Sequence, residues 1–234
     1  MTIAGDADMA FVTTRVSAGP HPKAGLRHAL RRAAMRTRDI VIASMLLLVL
    51  APTFGVIALL IRRVDGGPVF FRQERVGLGG RTFRLIKFRS MYVGNDDAAF
   101  RAHIAKSLVD PGPAKNGSYK LDHDPRVTPI GHWLRRLSID ELPQLINVVR
   151  GEMSLVGPRP ALPWETELFP AEFARRTDVR PGLTGLWQVS GRSRLSTLQM
   201  LEYDLIYVAR QTFLFDVGIL LRTIPTLLRG DGAR

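Results

Sequence analysis

Between Ile40 and Ile61 the chain reads IVIASMLLLVLAPTFGVIALLI, 22 residues without a charge. As a straight helix rising about 1.5 Å per residue it would extend about 33 Å, enough to cross the hydrocarbon core of a bilayer. The run begins well inside the chain and is followed by Arg62 and Arg63 instead of a small-residue cleavage site, so it does not read as a secretory signal. Two features oppose a plain crossing. Pro52 sits near its middle, where proline removes a backbone hydrogen bond and crowds the preceding turn, so a kink or break is expected there. Both flanks are basic: Arg27, Arg31, Arg32, Arg36 and Arg38 precede the run and Arg62 and Arg63 close it, which asks both ends to stay on the cytoplasmic side. A bent helix that enters one leaflet and returns meets both demands. An ordinary spanning helix with a tolerated proline and the core helix of a soluble protein are the alternatives.

The 234 residues allow one cored domain beside this segment. There is no cysteine, hence no disulfide framework or thiolate metal site, and neither HExxH nor a GxxxxGK[ST] phosphate loop occurs. The net charge of +12 rests on 28 Arg against 5 Lys. Arginine suits planar, bidentate recognition of phosphate, so the partner is anionic: a phosphorylated small molecule, an acidic membrane surface or nucleic acid.

Residues 1–36 read as a basic arm leading into a short surface helix, 37–66 as the membrane helix and its turn, and 67–234 as the cored domain. VFFRQERV and RTFRLIKFRSM flank Gly77-Leu78-Gly79-Gly80 as two strands of a hairpin. The glycines lack the spacing and following helix of a phosphate loop. Asn95 to Pro125 reads as a short helix and a long polar loop; His123 between Asp122 and Asp124 could bind metal, but a solvated loop is the favoured reading. The C-terminal YDLIYVARQTFLFDVGILLRTIPTLLRG predicts one or two amphipathic helices lying on the domain or the membrane interface.

The chemistry concentrates around SIDELPQLINVVRGEMSLVGPRP. Pro143 belongs in a first helical turn, which predicts a helix starting near Ser138 to Asp140 with the adjacent acids at its N-terminus. Ser138 and Glu141 have capping-box spacing, and helix capping alone would account for an isolated acidic pair. The surrounding cations suggest more. Arg135 and Arg136 lie upstream, Arg159 is framed by prolines, and RPGLTGLWQVSGR sets Arg180 and Arg192 around Trp187 and Gln188. An ionised aspartate can attack phosphorus, and firmly presented arginines neutralise the charge that moves.

PVFFRQERVG, KFRSM, DPRVTPIGHWLRRLSIDELPQLINVVRGEMSLVGPRP, VRPGLTGLWQVSGRS and YDLIYV together resemble the bacterial sugar transferase family, over roughly residues 36 to 230. The resemblance implies a monotopic phosphoglycosyl transferase. Such enzymes pass a sugar 1-phosphate from a UDP-sugar to undecaprenyl phosphate with Mg²⁺, through a phosphosugar-aspartate intermediate, at the cytoplasmic face of the bacterial inner membrane. It implies Asp140 as nucleophile and Glu141 as its partner, the two acids also serving the metal. Arg135 would hold phosphate beside them. Lys87, Arg89 and Arg159 would line the same site, with Arg180, Trp187, Gln188 and Arg192 contributing to substrate binding, and Pro52 would kink the re-entrant helix. The chain resembles the small form of the family, without further N-terminal membrane helices.

The expected fold is α+β: one kinked re-entrant helix, a β-hairpin and a mainly helical catalytic domain with interfacial helices. A hexose donor in exopolysaccharide initiation is the reading for substrate, with a UDP-N-acetylaminosugar or a phosphohydrolase using the same dyad as alternatives. A nucleic-acid partner is disfavoured, because the arginines gather in Pro/Gly-framed motifs and not along one helix face. Self-association stays open.

Overall fold

The structure, a computed structural model, describes residues 25–92, 101, 102, 104, 105, 126–191 and 195–229. Helix α1 (Leu26–Asp65) runs 40 residues. It starts ahead of the apolar run and passes position 36 without interruption, so among the described residues 26–36 belong to the same helix as the apolar stretch, their alanines and arginines favouring helix as strongly; residues 1–24 lie outside the described residues. The helix also continues through Pro52, so the chain does not break there. Only 11% of its most apolar stretch is buried, far too little for the core helix of a soluble domain.

From Ala34 onward the chain forms one compact unit. Strands β1 (Phe70–Val76) and β2 (Thr82–Phe88) make the expected antiparallel hairpin, in register from Phe70 opposite Phe88 to Val76 opposite Thr82. A 3-10 turn at Leu78–Gly80 joins them, with Gly79 and Gly80 at φ 64° and 76°, angles that glycine adopts without a Cβ penalty. Next come α2 (Pro129–Arg136), a 3-10 turn at Ile139–Glu141, and α3 (Gln144–Arg150). Strand β3 (Ser154–Val156), α4 (Pro163–Leu168) and a 3-10 segment at Ala171–Asp178 follow. Strand β4 (Gly182–Thr184) pairs parallel with β3. Helices α5 (Leu186–Ser190), α6 (Thr197–Arg210) and α7 (Phe213–Arg229) complete the described chain. The fold is mostly helical α+β, with two two-stranded sheets among the described residues.

Two apolar clusters carry the packing. Leu85, Leu145, Val148, Met153, Leu155 and Val156 form the larger with Leu186, Tyr207 and Ile219. Ala43, Leu46, Leu47 and Leu50 of α1 pack against it. The second, built on Phe88 and Leu134, takes Phe54, Ile57 and Ile61 from the half of α1 beyond Pro52. Each fully buried aliphatic side chain stabilises the fold by about 1.5–3 kcal/mol. The opposite face of α1, including Val41, Met45, Leu48, Val49, Val56 and Leu59, is exposed and apolar.

Polar contacts fasten the base of α1. Arg36 Nη2 donates to the Val149 carbonyl at 2.8 Å, and its other terminal nitrogen to that of Val148, closing the C-terminal end of α3. Arg38 pairs with Asp39 at 2.8 Å and with the buried Asp216 of α7 at 2.9 Å, while Ser154 Oγ donates to Asp39 at 2.6 Å. Two arginines that a charge count assigns to topology are therefore also structural. Helices α6 and α7 confirm the amphipathic reading of the C-terminus. Asp216 and Ile219 face inward, whereas Leu214, Leu221 and Ile224 of α7 are exposed.

Candidate active site

The acidic pair does not begin an α-helix. Ser138 adopts a left-handed conformation (φ 55°), the only non-glycine residue with positive φ among those described, and makes no capping bond through its side chain. The turn after it is 3-10: Glu141 N–H donates to Ser138 O at 3.3 Å and Leu142 N–H to Ile139 O at 3.1 Å. Pro143 occupies the N-cap position of α3, which starts at Gln144. Because proline brings no N–H, the chain winds tightly ahead of it instead of extending α3 backward. The backbone donors expected to cradle phosphate are thus partly engaged in the turn, and the positive potential has to come from side chains.

Those side chains arrive from two directions. Asp140 is buried and Glu141 half-buried. Lys87 lies on β2, opposite Phe71, with its ammonium 5.2 Å from that ring's centroid. Burial lowers the Lys87 pKa; Asp140 and Glu141 pull it back up, while Arg75 and Arg159 push it further down. A lysine that senses both acids and two arginines sits in a shared electrostatic site. It is also the only lysine among the described residues.

Asn147, fully buried on α3, sets the depth of β2. It accepts from Ile86 N–H at 3.0 Å and donates to Arg84 O at 2.8 Å and to Glu152 at 2.6 Å. The amide thus ties the strand backbone next to Lys87 to the helix that follows the dyad.

Arg159 Nη1 lies 3.6 Å from Glu141 Oε1, with both side chains about one-third exposed (33% and 30%). An ion pair that open contributes little to stability. Its backbone, in contrast, is held at every step. Pro158 O accepts from Gly182 N–H at 2.9 Å, Arg159 O from Arg176 at 2.6 Å, Pro160 O from Arg75 at 3.0 Å, and Ala161 O from Val76 N–H at 2.9 Å. Gly157 permits this approach: a Cβ there would lie 2.4 Å from Arg180 O and 2.8 Å from Gly182 N.

The remaining predicted residues separate. Arg135 ends α2, and its carbonyl accepts from Ser138 N–H at 3.2 Å; its Nη1 is buried without a hydrogen-bond partner among the described residues. Trp187 is buried behind the Arg159 loop, in a cleft shared with Phe169, Met200 and Leu201. Gln188 Oε1 is buried near Gly185 with no donor among the described residues. Arg89 packs its guanidinium against Gly67 at the turn after α1. Arg180 donates to Gly151 O at 2.9 Å, at the end of α3 away from the dyad. Arg192, the 122–124 acids and the 95–125 loop lie outside the described residues, apart from a few isolated positions.

Sequence reading missed Arg75, Asn147, Arg176 and Asp204. Only Asn147 carries a local signal, as a lone polar residue inside an apolar helix. Among the described residues no three His, Asp or Glu side chains form a metal cluster. Mg²⁺ commonly binds through one or two carboxylates plus substrate phosphates and water, so Asp140 and Glu141 fit that ion when a diphosphate is bound.

A helix long and apolar enough to cross a membrane, only 11% buried over its most apolar stretch, is fastened to a small domain in which Arg159 lies 3.6 Å from one of two adjacent carboxylates. Comparison with known proteins gives the chain a family. Residues 30–230 match the family described as Bacterial sugar transferase. The chain is 41% identical over 204 residues to the exopolysaccharide production protein ExoY of Sinorhizobium fredii, covering 85% of this chain and 87% of that one. It is 40% identical over 223 residues to a UDP-glucose:undecaprenyl-phosphate glucose-1-phosphate transferase of Caulobacter vibrioides, covering 92% and 75%. It is 39% identical over 202 residues to the undecaprenyl-phosphate galactose phosphotransferase of Salmonella typhimurium, covering 85% and 41%. The chain belongs to the bacterial sugar transferase family.

Proposed function

We propose that this protein transfers a sugar 1-phosphate from a UDP-sugar to undecaprenyl phosphate, the first step of exopolysaccharide assembly, through a covalent intermediate on Asp140. The observation that carries the reading is the approach of the clamped Arg159 to Glu141 at 3.6 Å beside the buried Asp140, with Lys87 within electrostatic reach of both acids, in a family whose relatives include named undecaprenyl-phosphate sugar phosphotransferases. The relatives include both glucose and galactose transferases, which supports a hexose donor.

Asp140 attacks the phosphorus that bears the sugar. The new bond joins a carboxylate oxygen to that phosphorus, the phosphoanhydride bond breaks, and UMP leaves with the bonding pair. In the second half, a phosphate oxygen of the acceptor attacks the same phosphorus and displaces the Asp140 carboxylate, giving the lipid diphosphosugar. Lys87 and Arg159 neutralise the non-bridging oxygens as charge shifts between them. Bound Mg²⁺ would supply further neutralisation of the diphosphate, held by Asp140 and Glu141.

The anchoring reading is a re-entrant helix kinked at Pro52, with both ends on the cytoplasmic face. Its support is that residues on both sides of Pro52 pack into clusters of the same domain, while the other face of α1 is apolar and exposed. A straight crossing would carry one half away from that domain.

The test is a single-turnover assay. Purified protein with Mg²⁺ and a panel of UDP-sugars, without acceptor, should release about one equivalent of UMP and keep the sugar phosphate on the peptide containing Asp140. Asp140→Ala should form no adduct. An adduct on Glu141, or no UMP until acceptor is added, contradicts the covalent assignment.

A further inference from the structure

Behind the Arg159 loop lies an ion pair that the chemistry above does not use. Arg176, in the 3-10 segment, and Asp204, on α6, are 8% and 2% exposed. Arg176 Nη2 donates both to Asp204 Oδ2 at 2.7 Å and to the carbonyl of Arg159 at 2.6 Å. Its Nε also reaches Oδ2 at 3.2 Å, and its guanidinium lies 5.3 Å from the centroid of the Phe169 ring. A second such pair stands beside it: Arg75 donates to the next carbonyl, Pro160 O, and lies 3.8 Å from the buried Glu165. Two arginines, each backed by a buried acid, therefore grip consecutive carbonyls of one loop.

Stability alone is a poor reason to bury such a pair. Well-packed apolar residues of similar volume often serve equally well or better. What they cannot supply is a donor at a fixed place beneath the Arg159 backbone. We infer that Arg176, held by Asp204, is a positioning residue for phosphoryl transfer, keeping the Arg159 guanidinium at the dyad. The inference rests on the transferase reading above and adds to it a dependence on a side chain that touches neither substrate.

The charged groups around Asp204 give the arrangement a pH signature. Arg176 faces it from the 3-10 segment, Arg159 from the loop, and Glu165 of α4 lines the same cleft, while α5 brings Trp187, which does not titrate. Burial pushes the Asp204 carboxyl up to about 6, against the pull of Arg176 and then Arg159. Above that value the carboxylate is charged and grips Arg176; below it, protonation weakens the grip and the Arg159 loop loosens.

The experiment is the acceptor-free burst of UMP, because the acceptor's phosphate monoester itself titrates near pH ~6 and would obscure the signal. Asp204→Asn keeps the shape and one acceptor oxygen but removes the charge. Its burst rate constant at neutral pH should fall by about tenfold to a hundredfold, the scale of a small misplacement transmitted to a reacting centre, with a much smaller change in UDP-sugar affinity. The wild-type acid limb near the Asp204 value should vanish in the variant. Arg159→Ala should cost less in the Asp204→Asn background than in the wild type, since the two act on one group. Arg176→Lys, which keeps the charge and loses the planar fork, should show the same loss of rate while its far-UV circular dichroism stays that of the wild type. A wild-type burst and acid limb in Asp204→Asn, or strict additivity with Arg159→Ala, overturns the inference. Absence of any UMP release from the wild type defeats the transferase reading itself, a result readily told apart.

Discussion

Replacing Asn147 with alanine tests whether one buried amide holds the two halves of the site together. The wild-type side chain satisfies Ile86 N–H and Arg84 O, both on β2, and also reaches Glu152. Alanine leaves the two strand groups without those partners. A buried backbone group stripped of its hydrogen bond costs about 1–3 kcal/mol, so two give about 2–6 kcal/mol, and partial access of water to the Arg84 side favours the middle of that range. Against a typical domain stability of about 5–15 kcal/mol this is a large fraction. At this chain length it corresponds to a loss of roughly 8–16 °C in Tm for about 4 kcal/mol. Denaturant unfolding in detergent micelles or nanodiscs, followed by tryptophan fluorescence, measures it. Because Lys87 is the residue after Ile86, the surviving folded fraction should also transfer sugar phosphate more slowly at saturating donor. A ΔΔG under 1 kcal/mol together with an unchanged rate would refute the claim that Asn147 sets the depth of β2.

Other outcomes follow from the same geometry. Arg159→Lys keeps the charge but loses the bidentate fork, so kcat/KM should drop by about tenfold or more while Tm moves by only a degree or two; wild-type turnover would remove Arg159 from the site. Since burial lowers the Lys87 pKa, the free enzyme should lose kcat/KM on the alkaline side below the ordinary lysine value of 10.5, as the ammonium gives up its proton. Lys87→Arg should carry that limb to higher pH, and an unmoved limb would assign it to another group. The chain has no cysteine, so Thr37→Cys and Arg63→Cys can be labelled separately in intact spheroplasts, and labelling from opposite sides of the membrane would rule out the re-entrant helix.

What could be read from the chain was mostly local. The Gly77–Gly80 cluster between β-rich runs marks the hairpin because glycine is nearly obligatory where φ turns positive, and an uncharged stretch as long as Ile40–Ile61 has few fates other than lipid. The dyad and the Pro-framed Arg159 were visible as unusual neighbours. The observed helix starts at Gln144 and not near Ser138 to Asp140 because Pro143 satisfies a first-turn rule equally well as the N-cap of α3, with a 3-10 turn ahead of it. Nothing near Arg38 announces Asp216, and nothing near Arg176 announces Asp204, since those pairings form only when distant segments fold together. The motif around Arg180 says nothing of its bond to the carbonyl of Gly151, a contact made by tertiary packing.

The four bound carbonyls from Pro158 to Ala161 have a consequence for how the protein is made. Their donors lie at residues 75, 76, 176 and 182, two before the loop and two after it. A nascent chain that has emerged as far as residue 170 already contains Asp140, Glu141, Lys87 and Arg159, but half of the loop's donors are still unmade. The loop that carries Arg159 can therefore be fully fastened only after residue 182 has been made. Helix α1, by contrast, is complete by residue 65, more than a hundred residues before that loop can lock.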